Sequence, residues 1–136
     1  MSQFVWPVRV YYEDTDSGGV VYYANYLKFM ERARTECLRT MGFEQDKLRQ
    51  EQGVLFAVHS LQVDFRRPAL FNDALEVSAE IRSQRRASLT FFQEIRRRGA
   101  TDVLCCGHIR VACVDAHSFK PVPIPESVRS ELTNVC

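Results

Sequence analysis

Tyr26-Leu27-Lys28-Phe29-Met30-Glu31-Arg32-Ala33-Arg34-Thr35-Glu36-Cys37-Leu38-Arg39-Thr40-Met41 carries the one sustained helical period of the chain. Tyr26, Phe29, Met30, Ala33, Cys37 and Met41 fall on one face, and Lys28, Glu31, Arg32, Thr35 and Arg39 fall away from it. Gly42 follows as a natural terminator, because glycine accepts the left-handed backbone at a helix end. A helix of about 16 residues is roughly 24 Å long. Outward from it, residues 44–52 read as a short polar helical turn, and residues 5–12 alternate weakly, as a first strand.

The rest of the chain reads with period 2. Ala57, His59, Leu61, Val63 and Phe65 alternate with Val58, Ser60, Gln62, Asp64 and Arg66. Leu75, Val77, Ala79 and Ile81 alternate with Glu76, Ser78, Glu80 and Arg82, and Leu89, Phe91 and Ile95 with Thr90, Phe92 and Glu94. Val103, Cys105, Ile109, Val111 and Cys113 alternate with Asp102, His108 and Arg110. Four such segments after the first predict an antiparallel sheet with one buried face. Hairpins are expected at Gln84-Arg85-Arg86 and around Gly99. The proline-rich stretch 121–125 ends the sheet, and residues 126–132 suit a short terminal helix.

One apolar sheet face and one amphipathic helix satisfy each other if the sheet curls round the helix, an α+β solution. Periodicity does not give the strand order. Val58, Phe92 and Leu104 fall on the second sheet face, which suggests contact with another subunit.

Composition bounds the rest. The 136 residues read as a single domain, 1–136, and 46% hydrophobic content suffices for a packed core. A formal net charge of +1 gives no global field for nucleic acid. No apolar run approaches a membrane span, and Met1-Ser2-Gln3-Phe4-Val5-Trp6-Pro7 lacks the apolar core of a secretory signal. Five cysteines, an odd number with Cys105 and Cys106 adjacent, suit reduced thiols and predict a cytoplasmic protein.

The chemistry concentrates in residues 11–26, Tyr-Tyr-Glu-Asp-Thr-Asp-Ser-Gly-Gly-Val-Val-Tyr-Tyr-Ala-Asn-Tyr. Asp14 and Asp16 precede the Gly18-Gly19 turn, and helix-compatible sequence begins just after. An acid and the N–H groups of a helix start can then meet a carbonyl from two sides, a design for acyl transfer or hydrolysis. The plain alternative is an aspartate turn or cap, since Asp side chains bond nearby N–H groups.

The same stretch resembles a known signature. Glu13-Asp14-Thr15-Asp16-Ser17-Gly18-Gly19-Val20-Val21-Tyr22-Tyr23, with Asn25-Tyr26 and Glu31-Arg32-Ala33-Arg34, is similar to hotdog-fold thioesterases of the 4-hydroxybenzoyl-CoA thioesterase-like class. Within that class it resembles the Tol–Pal-associated acyl-CoA thioesterase branch. The likeness runs from Trp6-Pro7-Val8-Arg9 to Lys120-Pro121. It implies a hotdog fold, five antiparallel strands round a long central helix, and hydrolysis of acyl-CoA to free acid and CoA. It implies that Asp16 is catalytic, as nucleophile or general base, with Asp14 structural. It implies that the Tyr23 backbone N–H polarises the carbonyl, and that Gly18 and Gly19 let the backbone pass close to the thioester. Many members of the branch carry His where this chain has Tyr23, which argues against a role for a side-chain imidazole. Arg85 and Arg86 are the implied partners of the coenzyme A phosphates. A homodimer pairing into a homotetramer and a link to the Tol–Pal envelope system are implied as well.

No metal or other cofactor is required, because the CoA thiolate is a good leaving group, and no Gly-x-Ser-x-Gly elbow is present. The other hotdog plan uses a glutamate on the central helix, and Glu31 and Glu36 are the candidates. Glu31 lies about 140° from Tyr26 on the helical wheel and reads as a surface group near Arg32 or Arg34. Cys105, Cys106, His108, Cys113 and His117 match no common zinc spacing, and alternation sends Cys105 and Cys113 to one face and Cys106 and His108 to the other. Arg96-Arg97-Arg98 reads as a solvated hairpin tip, without the aromatics of an RNA site. His59 reads as a core histidine; it also keeps open an acyl-carrier dehydratase, which would use a His and an acid. The third alternative is a non-catalytic acyl-binding or envelope-complex scaffold.

Overall fold

The computed structural model describes residues 3–135; Met1, Ser2 and Cys136 lie outside them. Strand β1 spans Phe4–Arg9, and a short 3-10 turn follows at Tyr12–Asp14. Helix α1 spans Tyr23–Thr40, α2 Gln45–Gln52, and strands β2 to β5 run Val54–Phe65, Ala74–Gln84, Ser88–Arg97 and Val103–Asp115. Helix α3, Glu126–Val135, closes the chain. The strands form one antiparallel sheet in the order β1-β3-β4-β5-β2. This is the expected α+β architecture, with the first strand shorter and the central helix three residues longer at its start than the periodicity suggests.

Helix α1 presses its apolar stripe on the sheet. Tyr26, Phe29, Met30, Ala33, Cys37 and Leu38 are buried, against Leu75, Val77, Phe91 and Ile95 among others. Gly42 ends the helix at φ +93°, as a C-terminal glycine does. The core also holds a polar cluster that periodicity does not reveal. Gln93 is fully buried and donates through Nε2 to the carbonyls of Met30 and Ser78, at 2.9 and 3.1 Å. Its Oε1 accepts from Nη1 of the buried Arg34 at 3.0 Å. Burial pushes the Arg34 pKa down, and nearby Glu31 partly offsets this.

Two bulges correct the strand faces. Val58 pairs with Val111 and Ser60 with Arg110, so His59 is the extra residue of a bulge in β2. The bulge reverses the alternation upstream of it. Val58 therefore shares the helix-side face with Leu61, Val63 and Phe65, opposite Val111, Ile109, Gly107 and Cys105. Val58 does not belong to the far face, and His59 is exposed rather than a core histidine. A second irregularity pairs Ile95 with Cys105 and Arg96 with Val103, which leaves Leu104 over. Leu104 is 1% exposed and is core, not an outer-face residue. Phe92 does lie on the far face, opposite His108, with the Arg82 guanidinium 4.1 Å from its ring centre.

β2 is an edge strand of 12 residues, and its helix-side residues are poorly covered. Val58, Leu61 and Phe65 are 50%, 46% and 49% exposed. No described helix is long and apolar enough to cross a membrane.

Candidate active site

The chain between β1 and α1 folds back on itself so that Asp14 lies opposite Tyr22 and Asp16 opposite Val20, on the hairpin that leads into the helix. Thr15 pairs with Val21, the Asp16 N–H donates to the Val20 carbonyl at 2.9 Å, and the Gly19 N–H donates to the Asp16 carbonyl at 3.0 Å. Gly19 sits at φ +79°, a conformation in which a Cβ is strained. Gly18 is constrained in a different way. A Cβ there would stand 3.3 Å from Asp16 Oδ1, which already accepts the Gly18 N–H at 2.8 Å. That one bond orients the carboxylate, whose residue is otherwise exposed to solvent.

Asp14 faces the other way and is buried. Its Oδ2 accepts the Tyr11 N–H at 2.9 Å, and its Oδ1 accepts from Asn25 Nδ2 at 2.7 Å. Its carbonyl accepts the Tyr22 N–H at 2.9 Å. The first closes the loop on itself, and the other two tie it to Asn25 in the first turn of α1 and to Tyr22 just before it, so Asp14 holds the hairpin shut while Asp16 is left exposed.

Tyr22 is the extended residue before the helix, and Tyr23 is its first helical residue. The Tyr23 N–H is one of the first-turn donors with no partner inside the helix, at its partially positive end. Aromatic rings border this point. Phe65 lies 6.2 Å from Tyr23 and 5.5 Å from Tyr26, and Tyr22 lies 4.7 Å from Tyr23, between ring centres. Burial raises the pKa of the Tyr26 phenol; its oxygen accepts the Ala69 N–H at 2.9 Å, which acts the other way.

Asp16, Gly18 and Gly19 thus share the hairpin that leads into Tyr23 at the start of α1. Arg85 and Arg86 do not join them within one chain. They occupy the β3–β4 hairpin, whereas the site adjoins the other end of β3, roughly 33 Å away at about 3.3 Å per residue. His59 is also remote, six residues along β2 from the Phe65 that borders the site. Glu31 is exposed and accepts from the Thr35 hydroxyl at 3.1 Å, a surface contact.

One member of the triple-arginine run is not a solvated hairpin tip. Arg97, in the triple-arginine run, donates through Nε to Asp73 Oδ2 at 2.9 Å and through Nη2 to the Pro68 carbonyl at 2.8 Å. Its neighbours differ: Arg96 pairs with Glu94, and Arg98 is exposed. Of the cysteines, burial pushes the Cys105 thiol up to about 12 and Cys113 up to about 11, so both stay protonated at neutral pH. Among the described residues no cluster of three or more His, Cys, Asp or Glu is placed to hold a metal.

Residues 10–132 match the model of the thioesterase-like superfamily. The chain belongs to that family. The acyl-CoA thioesterase YbgC of Haemophilus influenzae is 46% identical over 127 residues, 93% of this chain and 92% of that protein. The acyl-CoA thioester hydrolase YbgC of Escherichia coli O6:H1 is 48% identical over 128 residues, covering 94% of each. Among solved structures, a probable thioesterase from Bartonella henselae superposes with a TM-score of 0.85 at 31% identity, over 91% of this chain and 100% of that one. The sheet order and the central helix of this thioesterase-family chain are therefore those of the hotdog fold.

Proposed function

We propose that this chain hydrolyses the thioester of an acyl-CoA to the free acid and CoA, with Asp16 as nucleophile or general base. The observation that carries the reading is the Asp16 carboxylate, exposed and aimed by the Gly18 N–H, on the hairpin that runs into the N-terminus of α1. The names of the close relatives and the family membership point to the same chemistry.

In this reading the thioester carbonyl oxygen approaches the Tyr23 N–H, and the carbonyl carbon faces Asp16. Either the carboxylate attacks the carbon, or it takes a proton from a water that does. In both routes negative charge develops on the carbonyl oxygen, where the N–H and the helix end stabilise it. The thiolate of CoA leaves, and water supplies the hydroxyl of the acid product. The phenol of Tyr23 has no step in this scheme.

The site is open in a single chain, with Phe65 of the uncovered β2 edge on its rim. A second subunit seated on β2 closes it, which supports a dimer and leaves the far sheet face, with Phe92, for dimers to pair into a tetramer. Arg85 and Arg86 can touch the phosphates of that coenzyme A only from such a second subunit. A cytoplasmic location rests on the odd number of cysteines, which suits reduced thiols, and the Tol–Pal link on the sequence resemblance alone; affinity isolation of the tagged protein from cells tests the latter.

The direct test is a hydrolysis screen over aliphatic and aromatic acyl-CoAs with the wild type and Asp16→Asn. The variant should keep its fold and lose nearly all turnover, by at least about a hundredfold. A well-folded Asp16→Asn protein that retains most activity would remove Asp16 from its role.

A further inference from the structure

The loop that carries Asp16 and leads into Tyr23 is fastened to α1 by Asp14 and, on its outer side, to residues 69–70. Val20 pairs with Leu70, and the Val21 N–H donates to the Ala69 carbonyl at 2.9 Å. The Asp16 loop is therefore as well placed as the turn formed by residues 68–73. That turn belongs to no helix or strand and includes Asn72 at φ +72°; its backbone is tied to Val10, through the Asn72 N–H to the Val10 carbonyl at 2.9 Å and the Val10 N–H to the Asp73 carbonyl at 3.0 Å, and its Leu70 end rests on one backbone bond, from the Asp73 N–H at 3.1 Å.

Side chains fasten it further. Arg97, at the end of β4, reaches both ends of the turn. Its Nε bonds Asp73 Oδ2 and its Nη2 bonds the Pro68 carbonyl, at 2.9 and 2.8 Å. The same Asp73 oxygen accepts the Leu70 N–H at 2.8 Å, so one carboxylate oxygen carries the ion pair and the residue that pairs with Val20. From the helix side, the Tyr26 phenol oxygen accepts the Ala69 N–H. The side chains of Arg97 and Asp73 are 37% and 21% exposed, partly shielded from solvent and salt.

We propose that Arg97 and Asp73 are positioning residues of the active site, which hold the Pro68–Asp73 turn so that the turn holds Asp16 and the Tyr23 N–H. Its catalytic consequence rests on the Asp16 reading above; its mechanical content does not. The guanidinium serves because two N–H groups in a fixed fork reach two acceptors at once, which a lysine ammonium on a flexible stem does not reproduce. A displacement of about 1 Å at a reacting group can cost on the order of a hundredfold in rate.

The test uses Arg97→Gln and Arg97→Lys, each in the wild-type and Asp16→Asn backgrounds. Steady-state hydrolysis of an acyl-CoA that the wild type turns over is measured, together with amide hydrogen exchange and urea unfolding. Arg97→Gln should lower kcat on the order of a hundredfold while KM stays within about a factor of three. Exchange should quicken in residues 18–23 and 68–73, with the protection of α1 and the central strands kept. Arg97→Lys, which retains the Asp73 pair, should fall between. In the Asp16→Asn background Arg97→Gln should remove little further rate, because the group it positions is already gone. An unchanged kcat in Arg97→Gln would overturn the proposal. So would a loss of kcat that tracks global unfolding while exchange in residues 18–23 stays as in the wild type. If Asp16→Asn itself stays active while Arg97→Gln still loosens residues 18–23, the clamp stands and the Asp16 assignment is what fails.

Discussion

Gly18 and Gly19 are adjacent, and different constraints act on them. At Gly19 the backbone is left-handed, and Gly19→Ala should cost about 1 to 2 kcal/mol of stability. At Gly18 the backbone is ordinary, and the constraint is the 3.3 Å between a new Cβ and Asp16 Oδ1. Gly18→Ala should therefore leave urea unfolding nearly unchanged, within about 0.5 kcal/mol, and lower kcat several-fold by pushing the carboxylate aside. Equal turnover in a stable Gly18→Ala protein would mean that the Asp16–Gly18 bond does not set the reacting geometry. At this scale much of the candidate site is legible from order alone. An acid, two glycines and a helix start within ten residues meet because the chain has little room to separate them. Asp14 and Asp16 look equivalent in sequence, and only the partners distinguish them. Asn25, eleven residues on, claims Asp14 and leaves Asp16 free.

That latch belongs to the scale of elements, since it joins the hairpin to α1. Asn25→Ala removes a buried donor from the Asp14 carboxylate and should cost about 1 to 3 kcal/mol. Urea unfolding measures this, and Asp14→Ala combined with Asn25→Ala should cost less than the sum of the two single changes. Additive losses would show that the two side chains act independently. Helix α1 and five strands were readable because their apolar residues repeat with period 3.6 or 2. The bulges were not, because alternation records which residues are apolar and not where one residue is left unpaired. His59 interrupts β2 inside a run that still alternates in composition, so alternation alone puts Val58 on the wrong face. Arg97 was misread for a related reason. Three consecutive arginines look alike at a hairpin tip, and the acceptors that single one out lie 24 and 29 residues away in sequence.

For the molecule as a whole, the unread quantity was strand order, and it decides which side chains need a cover. With β2 at the edge, a 12-residue strand presents both its backbone and the half-exposed Val58, Leu61 and Phe65. Such an edge is a template for pairing with another chain. A second copy that docks there extends the sheet, shields these side chains, and walls the rim where Phe65 meets Tyr23. Leu61→Glu tests this. Leu61 pairs with Ile109 and lies four residues from Phe65, clear of the Asp16 loop. On an isolated chain an exposed Leu61→Glu change should shift stability by no more than about 0.5 kcal/mol. In a dimer it places a charge in an apolar seam, where an unpaired carboxylate costs several kcal/mol. Light scattering at micromolar concentration should give the wild type a mass at least twice the 15.7 kDa of one chain. The variant should fall to a single chain and lose most of its hydrolysis, with its secondary structure kept. A wild type that is monomeric and fully active would end the idea that a second subunit completes the site. A Leu61→Glu protein of unchanged mass would move the interface away from β2.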